Sequence, residues 1–556
     1  MGEIKINYDA VPGTTHLVDT EHTERSHKRL DGIVLVPTPS DDPNDPLNWS
    51  RARKLHHMFC IVVYTFGTGI PGTCIYSILT DIAAAPGVNI TVGDLNAGTG
   101  YMFLFLGLGN LLLLPLAQQF GRRPVYLFSA FSCSLINVWQ PFITTNGSWI
   151  GSKILNGFFV APIEALPEVS ISDVFFEHER ATYMAVYGVA LFGSNYMAPL
   201  VAGFINDGQD WKWVIYWSCI FCAVCFIYLA LFMEETNYER KVRVKTDEDG
   251  NVITAITSQG EKLPMAIQSV KSLTVNDNLA NESVLIEADS SDFEIEYPPV
   301  KTFMQKLSLT SGIKKQNHLV EYLKGPFYMA RYPVVLWGGF LYGSSLFWYT
   351  VLNGTEATIL GAEPYNFSSS MCGLAYVSPV IFVLIIYFYA GWSTDWIKIY
   401  IAKKHGGESQ AEDRLWVLAV YMILGPCALI LWGVGAAHSI HWFGIVFGLG
   451  LMAGLCVIGC VSSVTYIIDT YQEMSAEAMT TAMVIRNTMN FAMGYGITPW
   501  LTNTGVQNTF IAAAFICLFC IGTFLLMVYT GYYWRKKSRN SYWSLIEKRR
   551  NLGIYH

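Results

Sequence analysis

The stretch Gly151–Asp173, GSKILNGFFVAPIEALPEVSISD, is apolar enough to be a membrane helix. It nevertheless carries Lys153, Glu164 and Glu168, with prolines at Pro162 and Pro167. A carboxylate at membrane depth is costly and faces a cavity or a partner rather than lipid. Glu164 and Glu168 are four residues apart, which puts them on one helix face, ~6 Å apart along the axis. Such a pair could bind an organic cation, a proton, or each in turn. A polyamine, whose amines are separated by a few methylenes, suits this spacing, and two nearby carboxylates favour sharing one proton. The plainer alternatives are that Glu164 bonds to a neighbouring helix and that Glu168 is an inner gate, paired for instance with Arg486. Pro162 and Pro167 remove backbone donors and should kink the helix.

Arg486, Asn487 and Asn490 form a second polar cluster in an apolar stretch. An ion pair between halves of the protein is expected of Arg486, while Asn490 either lines a site or bonds a neighbouring helix. Tyr342, Tyr376, Tyr196 and Asn195 are further substrate-binding candidates. Aromatic faces attract ammonium groups by ~0.5–2 kcal/mol, although most membrane aromatics are packing or interface residues. Glu356 and Glu363 read as charges on an outside loop, either drawing cations to the mouth or merely solvated. Asp173 and Arg180 read as part of a charge network rather than a transport site. Cys219, Cys222 and Cys225 have a ligand-like spacing, but they sit in an unbroken apolar run and read as small buried hydrophobes. With no phosphate-binding loop, metal cluster or nucleophile triad, the sequence does not point to an enzyme, a metal or a cofactor.

The elements that must hold these groups follow from composition. Of 556 residues, 52% are hydrophobic and only 14% charged, against about a quarter charged in a soluble protein. This implies a multi-pass membrane protein embedded in the lipid bilayer, and nothing suggests nucleic-acid binding. Twelve apolar spans are long enough to cross ~30 Å of hydrocarbon. They lie near 55–79, 95–117, 124–144, 149–172, 182–205, 213–233, 328–353, 369–391, 415–437, 442–468, 479–501 and 508–532. The organisation predicted is an N-terminal tail (1–54), a six-helix bundle (55–233), a partly disordered central loop (234–327), a second six-helix bundle (328–532) and a C-terminal tail (533–556). Basic residues concentrate in the loops that share a side with the termini, which places both termini in the cytoplasm. The sequons at Asn89, Asn146, Asn353 and Asn366 then fall outside and are candidate glycosylation sites. Ser272–Glu296 reads as disordered and Lys301–Lys324 as an amphipathic helix on the inner leaflet. Two six-span halves place a substrate site between them near the midplane.

Several motifs resemble those of the major facilitator superfamily. Gly121-Arg122-Arg123 resembles its loop motif after span two, and Gly391-Trp-Ser-Thr-Asp395 the counterpart after span eight. Lys153-Ile-Leu-Asn-Gly157 resembles the span-four motif, with lysine where arginine is usual. Ala198-Pro199-Leu-Val-Ala-Gly203 resembles the span-five antiporter motif, with Ala198 where glycine is usual. DPNDPLNWS and PIEALPEVSISDVFFEHER resemble signatures of the twelve-span fungal drug:proton antiporter-1 family, closest to its yeast histidinol, cation and polyamine permease subgroup.

The resemblance implies an all-α major facilitator fold of two six-helix bundles. It implies gating charge networks at the loops of Arg122, Arg123 and Asp395, to which the residue reading adds Asp173 and Arg180 as a cytoplasmic network, Arg486 as an ion pair between the halves and Lys153 as a modulator of gating. It implies a secondary active transporter, driven by the proton gradient, that takes up small organic cations, polyamines in particular, at a fungal plasma membrane by alternating access. A monomer is expected. A proton-coupled multidrug exporter is the alternative within the class, and a non-transporting nutrient receptor lies further off.

Overall fold

The computed structural model describes residues 42–238, 317–404 and 408–552, with the shorter segments 11–16, 29–30, 33–34, 243–246, 252–256, 262–263, 287–289, 302–309 and 313. Among the described residues, ten helical stretches are long and apolar enough to cross a membrane. The last of these is a continuous helical run, Ser475–Asn551, broken at Gly505, whose φ of 74° no helix accommodates. It therefore supplies spans eleven and twelve. The eighteen-residue helix Arg122–Trp139 is the third span, which completes twelve crossings in two six-helix bundles.

Large apolar side chains on the outward faces stay exposed, including Leu135 (56%), Phe388 (76%) and Phe519 (74%). A water-soluble protein would bury such a belt, whereas lipid accepts it. Span two (Val92–Phe120) lies directly against span eleven. Glycines permit the approach: a Cβ on Gly107 would stand 2.9 Å from Asn487 Cβ, and one on Gly100 would stand 3.0 Å from Phe491 O. Span five (Glu177–Gly208) meets span eight where Gly203 faces the Ser369 carbonyl; a Cβ there would come within 2.2 Å of that oxygen.

The loops at 121, 175–176 and 471–474 share one end of the bundle with the start of span one (Arg51–Thr73), here termed the basal end. The opposite, distal end is sealed between the halves. Asn206 donates to Asp81 (2.7 Å) and to Ser369 Oγ (3.0 Å), Ser369 also bonds Asp81, and the Ser370 amide donates to Asp207 (3.0 Å). Asn96 of span two bonds Gly354 O (3.1 Å) and Thr498 (3.2 Å).

Span seven differs from its sequence reading. It runs Pro333–Leu360, with Pro333 in the first turn, where a missing N–H costs nothing. Its distal end therefore reaches seven residues beyond 353. Glu356 is consequently a helix residue with 0% exposure rather than a loop charge, and Asn353 is a helix residue 5% exposed. The Asn353 sequon is thus corrected: a buried side chain in mid-helix is closed to a glycosylating enzyme. Asn89 and Asn366 are exposed, whereas the Asn146 amide donates to Asp94 (2.7 Å).

Lys301–Lys324 is not one helix among the described residues. It contains the short helix Phe303–Lys306, and Leu319–Met329 begins near its end. Most of Ser272–Glu296 lies outside the described residues; within it, Glu287–Asp289 pairs in parallel with Arg243–Thr246. The polar C-terminal residues continue span twelve as helix to Asn551, and the strand Thr14–His16 pairs with Glu408–Gln410 near its base.

Candidate functional site

Span four is not one helix. Asn146–Val160 is α-helical, Ala161–Ile163 is a 3-10 turn, and the α-helix resumes at Leu166–Val174. The prolines cause this. Pro167 has no N–H to give the carbonyl of Ile163, four residues earlier. Tyr187 of span five supplies the donor instead, its hydroxyl 2.6 Å from Ile163 O and 3.3 Å from Glu164 O. Glu164 therefore sits in the break itself and Glu168 in the helix that resumes beyond it.

Their environments diverge. Glu164 forms an ion pair with Arg486 of span eleven, across the two halves. Asn487 Nδ2 donates to Glu164 Oε2 at 3.0 Å, and Asn110 Nδ2 of span two donates to the same oxygen at 3.4 Å. Arg486 is held from two further directions. Its Nη1 donates to the Tyr342 hydroxyl (2.8 Å), with the guanidinium 4.7 Å above that ring, and its Nε and Nη2 bond Asn487 Oδ1 at 3.2 and 2.9 Å. Each charge is thus satisfied several times over, the condition under which a buried pair is tolerated.

Glu168 makes no hydrogen bond or ion pair among the described residues, and part of its surface is exposed. It lies within electrostatic reach of Tyr187, Tyr342 and Tyr387. The suggested Glu168–Arg486 pair is therefore corrected: Arg486 pairs with Glu164. Arg486 stands eleven residues from the start of its helix and Glu164 ten from the end of span four, so both sit ~15 Å from the basal end.

The remaining candidates are distributed. Tyr342 belongs to the Arg486 cluster. Asn490 is buried, its Oδ1 without a partner. Asn195 donates to Leu191 O of its own helix (3.1 Å). Tyr196 is buried and meets Tyr349 of span seven edge-on, with centroids 5.1 Å apart. Tyr376 is buried nearer the distal end, its hydroxyl without a partner. Lys153 does not join a charge network: it is fully buried, its Nζ makes no hydrogen bond, and the Trp149 ring lies 4.6 Å away. Asp395 lies on the helix Val377–Lys404, with its side chain outside the described residues.

At the basal end Arg122 Nε meets Asp173 at 3.2 Å. The amides of Arg122 and Arg123 donate to the Glu235 carboxylate at 2.9 and 3.1 Å, so an anion sits on the N-terminus of span three. Arg123 also bonds the carbonyls of Met233 (2.8 Å), Ala230 (2.7 Å) and Leu307. Arg180 reaches Ser172 O at 3.4 Å.

The sequence reading missed the second-half equivalent. Arg414 pairs with Asp469 (3.1 Å), Arg535 with Glu412, and Arg549 with Glu477. The missed signal was charge of opposite sign at corresponding helix ends. Asn110 was also missed, a lone amide in a leucine-rich stretch. The Cys222 and Cys219 thiols of span six donate weakly to span-three carbonyls, each at 3.5 Å, as packing residues would.

Residues 58–499 match the Major Facilitator Superfamily. An MFS-type transporter of Schizosaccharomyces pombe is 27% identical over 559 residues, covering 98% of this chain and 96% of that one. Protein HOL1 of Saccharomyces cerevisiae is 26% identical over 577 residues, covering 96% and 95%. The fold resembles that of the Escherichia coli xylose transporter XylE in a partially occluded inward-open conformation. That likeness has a TM-score of 0.54 at 12% identity, over 85% of this chain and 97% of that chain. A D-xylose–proton symporter gives a TM-score of 0.50 at 13% identity, over 85% and 96%. An enzyme is set aside with this result, and the chain belongs to the major facilitator superfamily as a multi-pass membrane transporter.

Proposed function

We propose that the protein imports small organic cations, polyamines in particular, across the plasma membrane, coupled to protons, with both termini in the cytoplasm. The observation that carries this reading is the contrast within span four. Glu164 is locked to Arg486 across the halves, while Glu168, four residues on, makes no ion pair among the described residues and lies within electrostatic reach of Tyr187, Tyr342 and Tyr387. A carboxylate without a counterion, with tyrosines in reach, is a suitable acceptor for an ammonium group. The Glu164–Arg486 pair is then the switch. Protonation of Glu164 discharges it and frees Arg486, and the halves part on that side.

The basal network of Arg122, Arg123, Asp173 and Glu235 holds the first bundle rigid while it rocks. The resemblance of the N-terminal and span-four signatures to the polyamine permease subgroup supports the substrate class. A proton crossing a 100 mV potential supplies ~2.3 kcal/mol of bias.

Labelled spermidine flux into proteoliposomes, under an imposed pH gradient of either sign, tests the proposal. Uptake should follow the proton gradient and fall at least tenfold in Glu168→Gln. Flux indifferent to the gradient would remove proton coupling. Export of neutral drugs that survives in both Glu164→Gln and Glu168→Gln would instead favour the multidrug exporter.

A further inference from the structure

The buried glutamates of the described residues are not equivalent. Glu164 faces Arg486, Glu412 faces Arg535 and Glu477 faces Arg549. Glu356 is as deeply buried as any, yet it faces no described cation, and neither of its oxygens makes a hydrogen bond. The weakly donating Cys372 thiol of span eight stands beside it. An unpaired carboxylate cannot remain charged in such a place without a counterion.

Its neighbours include further buried polar atoms without partners. Tyr349, Asn353 and Glu356 follow one another at helical spacings of four and three, so they line one face of span seven. Asn353 Oδ1 and the Tyr349 and Tyr376 hydroxyls also lack partners. Tyr196 of span five closes on the Tyr349 ring. Tyr76, at the distal end of span one, and Glu356 both lie within electrostatic reach of Tyr376. Native interiors rarely leave several buried polar groups unsatisfied side by side, and such a cluster calls for a functional explanation. The Glu356 carboxylate and Asn353 Oδ1 are acceptors set among aromatic rings, a lining that suits a positively charged group with N–H donors and an apolar stem. A primary or secondary ammonium has that chemistry.

We propose that Glu356, with Tyr349, Asn353, Tyr376 and Tyr196, is a second, distal site for an organic ammonium ion, assembled from both halves when the distal seam closes. It deepens the transport reading above and rests on it. On entry from the distal side, substrate meets Glu356 before it reaches Glu168. The stripe that holds Glu356 continues along span seven to Tyr342, seven residues before Tyr349, which touches Arg486. One helix face thus joins the two sites.

The test uses the full chain in proteoliposomes, with spermidine as probe. Binding is measured in wild type, Glu356→Gln and Tyr376→Phe, and carbodiimide labelling of Glu356 in wild type is followed by mass spectrometry with and without spermidine. We expect Glu356→Gln to weaken spermidine binding at least tenfold, Tyr376→Phe to weaken it a few-fold, and spermidine to slow labelling of Glu356 at least fivefold. The labelling arm needs no variant, so a misfolded mutant does not blunt it. Unchanged labelling in a protein that binds spermidine would overturn the proposal, as would wild-type affinity in Glu356→Gln. If wild type binds no spermidine, the polyamine reading fails. Protection of Glu356 by butylammonium, a primary ammonium on an apolar stem, would then still uphold the site, and no protection by it would sink it.

Discussion

Arg486 and Glu164 form an ion pair between the two halves of the transporter, their side chains only 6% and 9% exposed. Removing one partner strands the other charge in a low-dielectric setting, a loss of about 3–5 kcal/mol. Glu164→Gln and Arg486→Gln should each lower the melting temperature of the detergent-solubilised protein. The double variant should recover most of that loss, because no charge is left alone. Additive losses would show that the two residues do not act as a pair.

Tyr187 and Pro167 should be coupled in the same way. The Tyr187 hydroxyl serves the Ile163 carbonyl that Pro167 cannot. Tyr187→Phe leaves that carbonyl unsatisfied and should cost about 1–3 kcal/mol. In a Pro167→Ala background the backbone N–H returns, so the same change should cost far less. Thermal unfolding of the four proteins of this cycle decides it. Equal costs in both backgrounds would mean that the hydroxyl bond does not stand in for the N–H that Pro167 lacks.

These two clusters mark what could be read from the sequence. Charges within apolar stretches announced Glu164, Glu168 and Arg486, because lipid makes an unexplained charge conspicuous. Which carboxylate takes Arg486 could not be read, since partner choice depends on how the Pro162–Pro167 break turns each side chain. Glu356 was misplaced for a different reason. Asn353-Gly-Thr-Glu356-Ala-Thr has the composition of a loop, and hydropathy alone ends span seven before it. Packing of span seven against spans ten and eleven, which no local pattern reports, extends the helix through it and buries it. The twelve crossings and two bundles were legible because backbone hydrogen bonding in lipid leaves few other options. Asp395 was chosen from a motif, and its side chain lies outside the described residues.

The distal seam should respond to a single methyl group. A Cβ at Gly203 would lie 2.2 Å from Ser369 O, a backbone atom that cannot swing aside. Gly203→Ala should therefore disfavour the sealed arrangement. Cys372, three residues beyond Ser369 and 3% exposed, is a natural reporter. Its labelling by a membrane-impermeant thiol reagent from the distal side should rise several-fold in Gly203→Ala. Unchanged labelling would show that the seam yields elsewhere.

The basal end of the second half is secured by Arg535, which is fully buried. It pairs with Glu412 and also donates to Pro12 O (2.6 Å) and Thr14 Oγ1 (3.3 Å) of the N-terminal segment. Tyr466 adds a hydroxyl bond to Glu412 at 3.1 Å. The two kinds of partner should differ in weight. Glu412→Gln strands a buried guanidinium and should cost about 3–5 kcal/mol. Deleting residues 1–16 takes from Arg535 only neutral acceptors that water can replace at this end, and with them the short strand pairing to Glu408–Gln410, for about 0.5–1.5 kcal/mol per bond. Thermal unfolding of the two variants should therefore rank Glu412→Gln well below the truncation. The reverse order would mean that the N-terminal segment, rather than the ion pair, fastens the base of span twelve.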